Sequence, residues 1–242
     1  MSRFDAILLD YGNTVVQFDR PQIEWIHVQL AEVLSRTVAP IKPRMLGEVM
    51  DRVCVLPPLS TDKREFTPFE QMLQILREAY DGTFPVTDQM VTEANCEYQN
   101  LYVHSIKIDD SAVRALEWIR RKVRVGLVSN YPCGASLRRS LHSTGIADLL
   151  DPVVVSGDVG YVKPHPKLFE AALDAVGVPA GRVLFVGDNW ASDMVGAHTA
   201  GMVTCHHLGH TSEQDYEERY QSYRPDFSIH HLEELQEIVT AG

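Results

Sequence analysis

Apolar and polar positions along the chain follow two different periods. Near the start, Ala6-Ile7-Leu8-Leu9 is an unbroken apolar run that ends on Asp10 and a turn residue, Gly12. Four consecutive apolar residues closed by a turn signal predict a strand buried on both faces, with Asp10 at the point where it leaves the core. Residues 11–18 alternate small, polar and β-branched types and predict a tight turn or short hairpin. From about Arg20 to Tyr102 the period becomes helical. Ile23, Ile26, Leu30, Val33 and Leu34, then Phe69, Met72, Leu73 and Leu76, then Val91, Ala94, Tyr98 and Leu101 recur at helical spacing and predict at least three amphipathic helices. A further helix is expected over 45–55, stopped by Pro57-Pro58. One start is explicit, because Thr67-Pro68-Phe69-Glu70 carries both halves of a capping box with proline at the first helical position.

The second half alternates the two periods. Strands are expected at 123–128, 153–155, 183–186, 202–205 and 227–229. Helices are expected between them: one carrying Ala112, Leu116 and Ile119, then 134–143, 166–176, 191–200 and 231–239. Strands alternating with helices predict βαβ units with right-handed crossovers, hence an α/β fold with a Rossmann-like parallel sheet. The expected organisation is a core built from 1–18 and 104–242, with an all-helical domain, 19–103, inserted after the first strand.

Composition narrows what such a fold can do. The chain has 242 residues, 45% of them hydrophobic, enough for one core domain and a large insert. A net charge of −11, with no cluster of lysine or arginine to offset it, disfavours nucleic acid and anionic membrane as partners. A phosphorylated ligand would need local positive charge, from one or two basic side chains or a bound cation. The first apolar run is too short for a signal sequence and no run reaches membrane-spanning length, so a cytoplasmic protein is expected. Cys54, Cys96, Cys133 and Cys205 are widely spaced and predict ordinary thiols rather than disulfides or a zinc site.

Polar residues close the strands in a regular way. Asp10 ends the first, Ser129-Asn130 the second and Gly187-Asp188 the fourth, while Lys163 follows the third in a loop stiffened by Pro164 and Pro166. In a parallel sheet these ends share one edge, where ligands bind in open α/β folds. Each residue taken singly is explained by turn chemistry. Together they describe a site, with Asp10 as nucleophile, metal ligand or both.

The order and spacing of these pieces resemble the haloacid dehalogenase (HAD) superfamily of hydrolases. The resemblance rests on Leu9-Asp10-Tyr11-Gly12-Asn13-Thr14, Ser129 in Leu127-Val128-Ser129-Asn130, Lys163-Pro164 and Gly187-Asp188 with Asp193. It implies that the insert is a helical C1-type cap that closes over the site and sets substrate choice. It also implies Mg²⁺ held by Asp10, the Gly12 carbonyl, Asp188 and Asp193, the last as a direct ligand or one step removed. Lys163 would pair with the nucleophile and the phosphate. Ser129 and the amides after it, from Asn130 on, would hold phosphate oxygens. The expected activity is phosphate release from a small phosphorylated metabolite through an aspartyl phosphate on Asp10. A first-turn helix acid is the competing account of Asp193, and a surface lysine that of Lys163.

One position departs from the family pattern. Phosphatases of this family usually carry an aspartate two residues after the nucleophile, to protonate the leaving group and then activate water, and here that residue is Gly12. Losing such a group typically costs about 10²- to 10⁴-fold. Good leaving groups, or Asn13 acting through water, a cap residue or the substrate itself, would compensate. Two alternatives follow: a 2-haloacid dehalogenase using Asp10 without metal, although such enzymes tend to carry Tyr at the Gly12 position, or a HAD-fold binding protein with a weakened site. Two weaker signals are read structurally. Cys205-His206-His207-Leu208-Gly209-His210 matches no regular zinc spacing, and Arg120-Arg121-Lys122 suits the cationic last turn of a helix. Trp25, His27, Arg64 and Phe66 lie in the expected cap, where packing explains the aromatics as well as substrate contact does.

Overall fold

The first strand, β1 (Ala6–Leu9), occupies the middle of the sheet. Around it stand β2 (Arg124–Ser129), β3 (Val153–Val155), β4 (Val183–Gly187), β5 (Val203–His207) and β6 (Phe227–Ile229), in the order β3-β2-β1-β4-β5-β6 and all parallel. This computed structural model describes residues 3–55, 63–82, 84–209 and 223–240. All the expected strands are present, β5 running two residues beyond its predicted end. Pro57-Pro58 and His210 lie outside the described residues.

Unbroken apolar strands follow from burial on both faces. Ile7 and Leu9 point into one layer with Val125, Leu127, Leu184 and Val186, while Ala6 and Leu8 point into the other with Val128, Val183 and Phe185. The first layer is covered by α5 (Asp110–Arg120), α6 (Gly134–Ser143) and α10 (Leu235–Thr240), through Leu116, Ile119, Leu137 and Leu235. The second is covered by α8 (Pro166–Val176) and α9 (Val195–Thr199), through Leu168, Phe169, Val176 and Ala197. A four-residue helix, α7 (Ser156–Val159), follows β3 directly and is too short to show a period in sequence.

Between β1 and α5 the described chain is helical apart from its connections. It forms α1 (Arg20–Thr37), α2 (Pro43–Met50) with a wider turn over Asp51–Val55, α3 (Pro68–Ala79) and α4 (Asp88–Ser105). These helices bury a cluster of their own, with Leu30, Leu34, Leu46, Met72, Leu76 and Val91 at its centre. The α3 start is the expected reciprocal cap: Glu70 N donates to Thr67 Oγ1 at 3.2 Å and Thr67 N donates to Glu70 Oε2 at 2.8 Å. The chain leaves and re-enters the sheet region side by side, Gln17 N donating to the Lys107 carbonyl at 3.0 Å. α4 packs against α6, and its Tyr102 stacks on Tyr131 with ring centroids 4.1 Å apart.

Candidate active site

β1, β2 and β4 end at one edge, and the polar residues expected there meet. Asp10 follows β1 directly, its N–H donating to the Val186 carbonyl at 2.8 Å, so the strand pairing itself places its carboxylate. The chain then turns through Asn13, which has a left-handed φ of 59° that asparagine tolerates better than most residues. Asn13 Oδ1 accepts from Phe18 N at 3.1 Å and so braces this turn.

Lys163 reaches the same point from the loop after α7. Its Nζ donates to Asp10 Oδ1 at 2.5 Å and to the Val128 carbonyl at 2.9 Å, and it pairs with Asp193 Oδ1 at 2.7 Å. At 4% exposure it is no surface lysine. Asp193 is equally far from a solvated first-turn acid. It is 1% exposed and its Oδ2 accepts from Asn189 N at 3.0 Å. Gly187 makes this approach possible, because a Cβ there would lie 2.6 Å from that of Asp193. Carboxylate oxygens of Asp10, Asp188 and Asp193 all lie within 4.8 Å of one another.

One ammonium among three carboxylates leaves an excess of two negative charges in a buried space. Burial, followed by the Asp10 and Asp193 charges, pushes the Asp188 carboxyl up to about 8. Burial outweighs Lys163 at Asp10 and raises it to about 6. Burial opposes the charge on Lys163 too, but Asp10 and Asp193 overcome that and hold its pKa above the ordinary lysine value. A set of hard carboxylate oxygens with this surplus of negative charge suits a divalent cation such as Mg²⁺.

Ser129, at the end of β2, is buried, and among the described residues its hydroxyl makes no hydrogen bond. The Asn130 side chain is engaged away from the expected phosphate position. Its Oδ1 accepts from Lys163 N at 2.7 Å and its Nδ2 donates to the Lys163 carbonyl at 3.2 Å, so it fixes the lysine's backbone and leaves only main-chain groups for a ligand. The next amide, Tyr131 N, is also engaged, donating to Ser156 Oγ at 2.8 Å.

Two supports were not evident from sequence. Ser156 Oγ lies 2.5 Å from Glu65 Oε2, and 63–65 runs beside 160–162, with Val162 N donating to the Lys63 carbonyl at 2.9 Å. The insert thereby grips the loop that carries Lys163. His206 Nε2 donates to the Asp188 carbonyl at 2.8 Å and its ring meets Trp190 edge-on. Within the His-rich stretch, His206 thus braces the main chain at Asp188. The four cysteines are free. Trp25 stacks near His104, with centroids 5.7 Å apart, and Arg64 pairs through its backbone with Tyr161. A groove of about 740 Å³ bordered by Asp5, Arg120, Lys122 and Arg124 lies at the opposite edge of the sheet, away from the carboxylates.

The model of the haloacid dehalogenase-like hydrolases matches residues 4–201. The chain belongs to that family. It is 35% identical over 129 residues to pyrimidine 5'-nucleotidase YjjG of Escherichia coli, covering 53% of this chain and 55% of that protein. It is 38% identical over 95 residues to a glyceraldehyde 3-phosphate phosphatase of Methanopyrus kandleri, 39% of this chain and 40% of that protein. The matched region is thus about half the length of these relatives or less. Among solved structures, a 2-haloacid dehalogenase from Pseudomonas syringae superposes with a TM-score of 0.74 at 22% identity, covering 98% of this chain and 99% of that one. A HAD phosphatase from Thermococcus onnurineus does so with a TM-score of 0.67 at 24% identity, covering 98% of each chain. At these identities the likeness establishes the α/β fold. No helix among the described residues is long and apolar enough to cross a membrane.

Proposed function

We propose that the protein is a Mg²⁺-dependent phosphatase that hydrolyses a small phosphorylated metabolite through an aspartyl phosphate on Asp10. The observation that carries this reading is the buried meeting of Asp10, Asp188 and Asp193 around one lysine. Displacement of halide from carbon needs a nucleophilic carboxylate but no such surplus of anionic oxygens, so the cluster favours phosphoryl chemistry over dehalogenation. The names of the similar nucleotidase and phosphatase point the same way.

Asp10, Asp188, Asp193 and the Gly12 carbonyl would hold the metal, which when bound neutralises charge on the transferring phosphoryl group. An Asp10 carboxylate oxygen forms the bond to phosphorus, and the bond to the leaving oxygen breaks with its electron pair going to that oxygen. Water then attacks phosphorus and restores the carboxylate, so monoester and water become alcohol and inorganic phosphate. Lys163 orients Asp10 and offsets its charge. Ser129 Oγ and the Asn130 main-chain amide donate to phosphate oxygens. The helical insert, 19–103, serves as the cap that shields the intermediate from bulk water.

A phosphate-release panel with and without Mg²⁺, run beside a haloacid assay, tests the proposal. Turnover should vanish with EDTA and with Asp10→Asn. Chloride release from a 2-haloacid that survives EDTA, with no turnover of any phosphate, would overturn it.

A further inference from the structure

A cavity of about 150 Å³ opens between the helical insert and the sheet edge. It begins where the candidate site ends. Asn130 and Tyr131, directly after Ser129, line it, as does Phe18, the residue nearest to where a Gly12 side chain would project. Phe18, Tyr98 and Tyr131 supply aromatic walls, and Ile23, Ile26 and Met50 supply aliphatic ones. Among the described residues, no lysine, arginine, aspartate or glutamate lines it. A dry cavity of about this volume accommodates one six-membered ring.

Of its polar side chains, Asn130 is engaged with the Lys163 backbone and the Tyr131 hydroxyl donates to Gln99 Oε1 at 2.8 Å, which leaves His27 and Gln71 beside Cys54 and Tyr98. His27, in α1, is 5% exposed, and among the described residues its ring makes no hydrogen bond. Gly47 makes room for it, since a Cβ there would stand 2.8 Å from His27 Nδ1. Burial lowers the pKa of this imidazole, which favours its neutral form. Across the cavity, Gln71 of α3 likewise makes no side-chain hydrogen bond among the described residues. Neither ring nitrogen of His27 is among the fully buried polar atoms that lack a partner, so the ring is open to a donor or acceptor entering the cavity.

We propose that this cavity receives the alcohol part of the substrate, and that this part is an uncharged ring with a polar edge read by His27 and Gln71. The inference rests on the phosphatase reading and gives it a substrate class. Aromatic walls favour stacking against a planar ring. A carboxylate-bearing alcohol part, as in phosphoglycolate, would be buried there without a cation to pair it.

The test compares kcat/KM of the full chain with Mg²⁺ for four probes: benzyl phosphate, uridine 5'-monophosphate, phosphoglycolate and acetyl phosphate. Both ring esters should exceed phosphoglycolate by about tenfold or more, a discrimination ordinary for an apolar pocket. Ile26→Trp, which fills the cavity, should lower both ring esters relative to acetyl phosphate. His27→Ala should raise KM for uridine 5'-monophosphate more than for benzyl phosphate, which has no polar edge. Gln71→Leu, at a half-buried position that tolerates the change, should do the same, with circular dichroism verifying the fold of each variant. Turnover of acetyl phosphate with equal or better turnover of phosphoglycolate would overturn the substrate class while leaving the phosphatase reading intact. Unchanged ratios in correctly folded variants would do so too. Absence of turnover on every phosphate would overturn both.

Discussion

Lys163 Nζ lies 2.5 Å from Asp10 Oδ1, although the two residues are 153 positions apart in sequence. The lysine also serves Asp193, so among the described residues it is the cation that compensates this buried cluster of carboxylates. Removing one partner of such a pair leaves uncompensated charge and typically costs about 3–5 kcal/mol. Lys163→Met is therefore expected to lower the unfolding free energy of the metal-free protein by that order, and with it the denaturant midpoint, and to cut phosphate release by about 10²-fold or more. Mg²⁺ should restore part of the stability and little of the rate. Equilibrium unfolding with and without Mg²⁺ checks this, and an unchanged midpoint would show that the pair contributes nothing.

The same crowding sets a pH dependence. Asp188 is raised to about 8 and Asp10 to about 6, each from 3.8, mainly by burial. The folded metal-free protein therefore holds protons that the unfolded chain releases. The cluster's contribution to stability is full below about pH 4 and is lost as pH rises through 6 and then 8. Metal binding needs the ionised carboxylates, so Mg²⁺ affinity should increase from pH 6 to pH 8 and binding should release protons. Calorimetric titration at both pH values, in buffers of different ionisation enthalpy, measures both effects. Tighter binding at pH 6 would contradict the assignment of these carboxylates as ligands.

Periodicity made the α/β sheet and the helical insert legible because the central strands β1 and β4 are buried on both faces and the helices chiefly on one. The strand-end residues were legible for a related reason: parallel pairing sends Asp10, Ser129 and Asp188 to one edge whatever the loops do. Contacts made by residues of ordinary turn or packing type were not. Asn130 reads as a main-chain phosphate donor from its place after Ser129; the closing of its side chain on the Lys163 backbone is a pairing set by a loop whose path no period encodes. Glu65 has no pattern around it and meets Ser156 only because the insert folds back on the loop carrying Lys163. His27 stands in sequence as one of several cap residues, with nothing to set it apart until Gly47 on the next helix opens a place for its ring.

His206 is such a hidden support. Its Nε2–H fixes the Asp188 carbonyl, and burial lowers its pKa, which favours the neutral ring. It touches no reacting atom and is a positioning residue. His206→Ala should weaken Mg²⁺ affinity by about tenfold, the order typical when a group orienting a metal ligand is lost. His206→Gln, which can still donate, should recover part of it. KM for the phosphorylated substrate at saturating Mg²⁺ should change little. An affinity lost equally in both variants would mean that the side chain acts through packing alone.

Gly12 stands where the usual acid–base aspartate is missing, and the backbone does not require glycine there. Its φ is not left-handed, and an added Cβ would meet only Phe18 Cβ, at 3.9 Å. Asn13 is a poor replacement because its Oδ1 accepts from Phe18 N within the turn. Gly12→Asp should therefore fold without strain and direct a carboxyl toward the Phe18 side of the cavity mouth. If leaving-group protonation limits the rate, alkyl phosphates should gain up to about 10²-fold while acetyl phosphate, whose leaving group needs no proton, gains little. The slope of log kcat/KM against leaving-group pKa, measured for both proteins, is the decisive quantity, and it should flatten in the variant. An equal slope would mean that the glycine enzyme already obtains its proton elsewhere, with the substrate's own ring substituents and His27 as the groups to examine by the same slope.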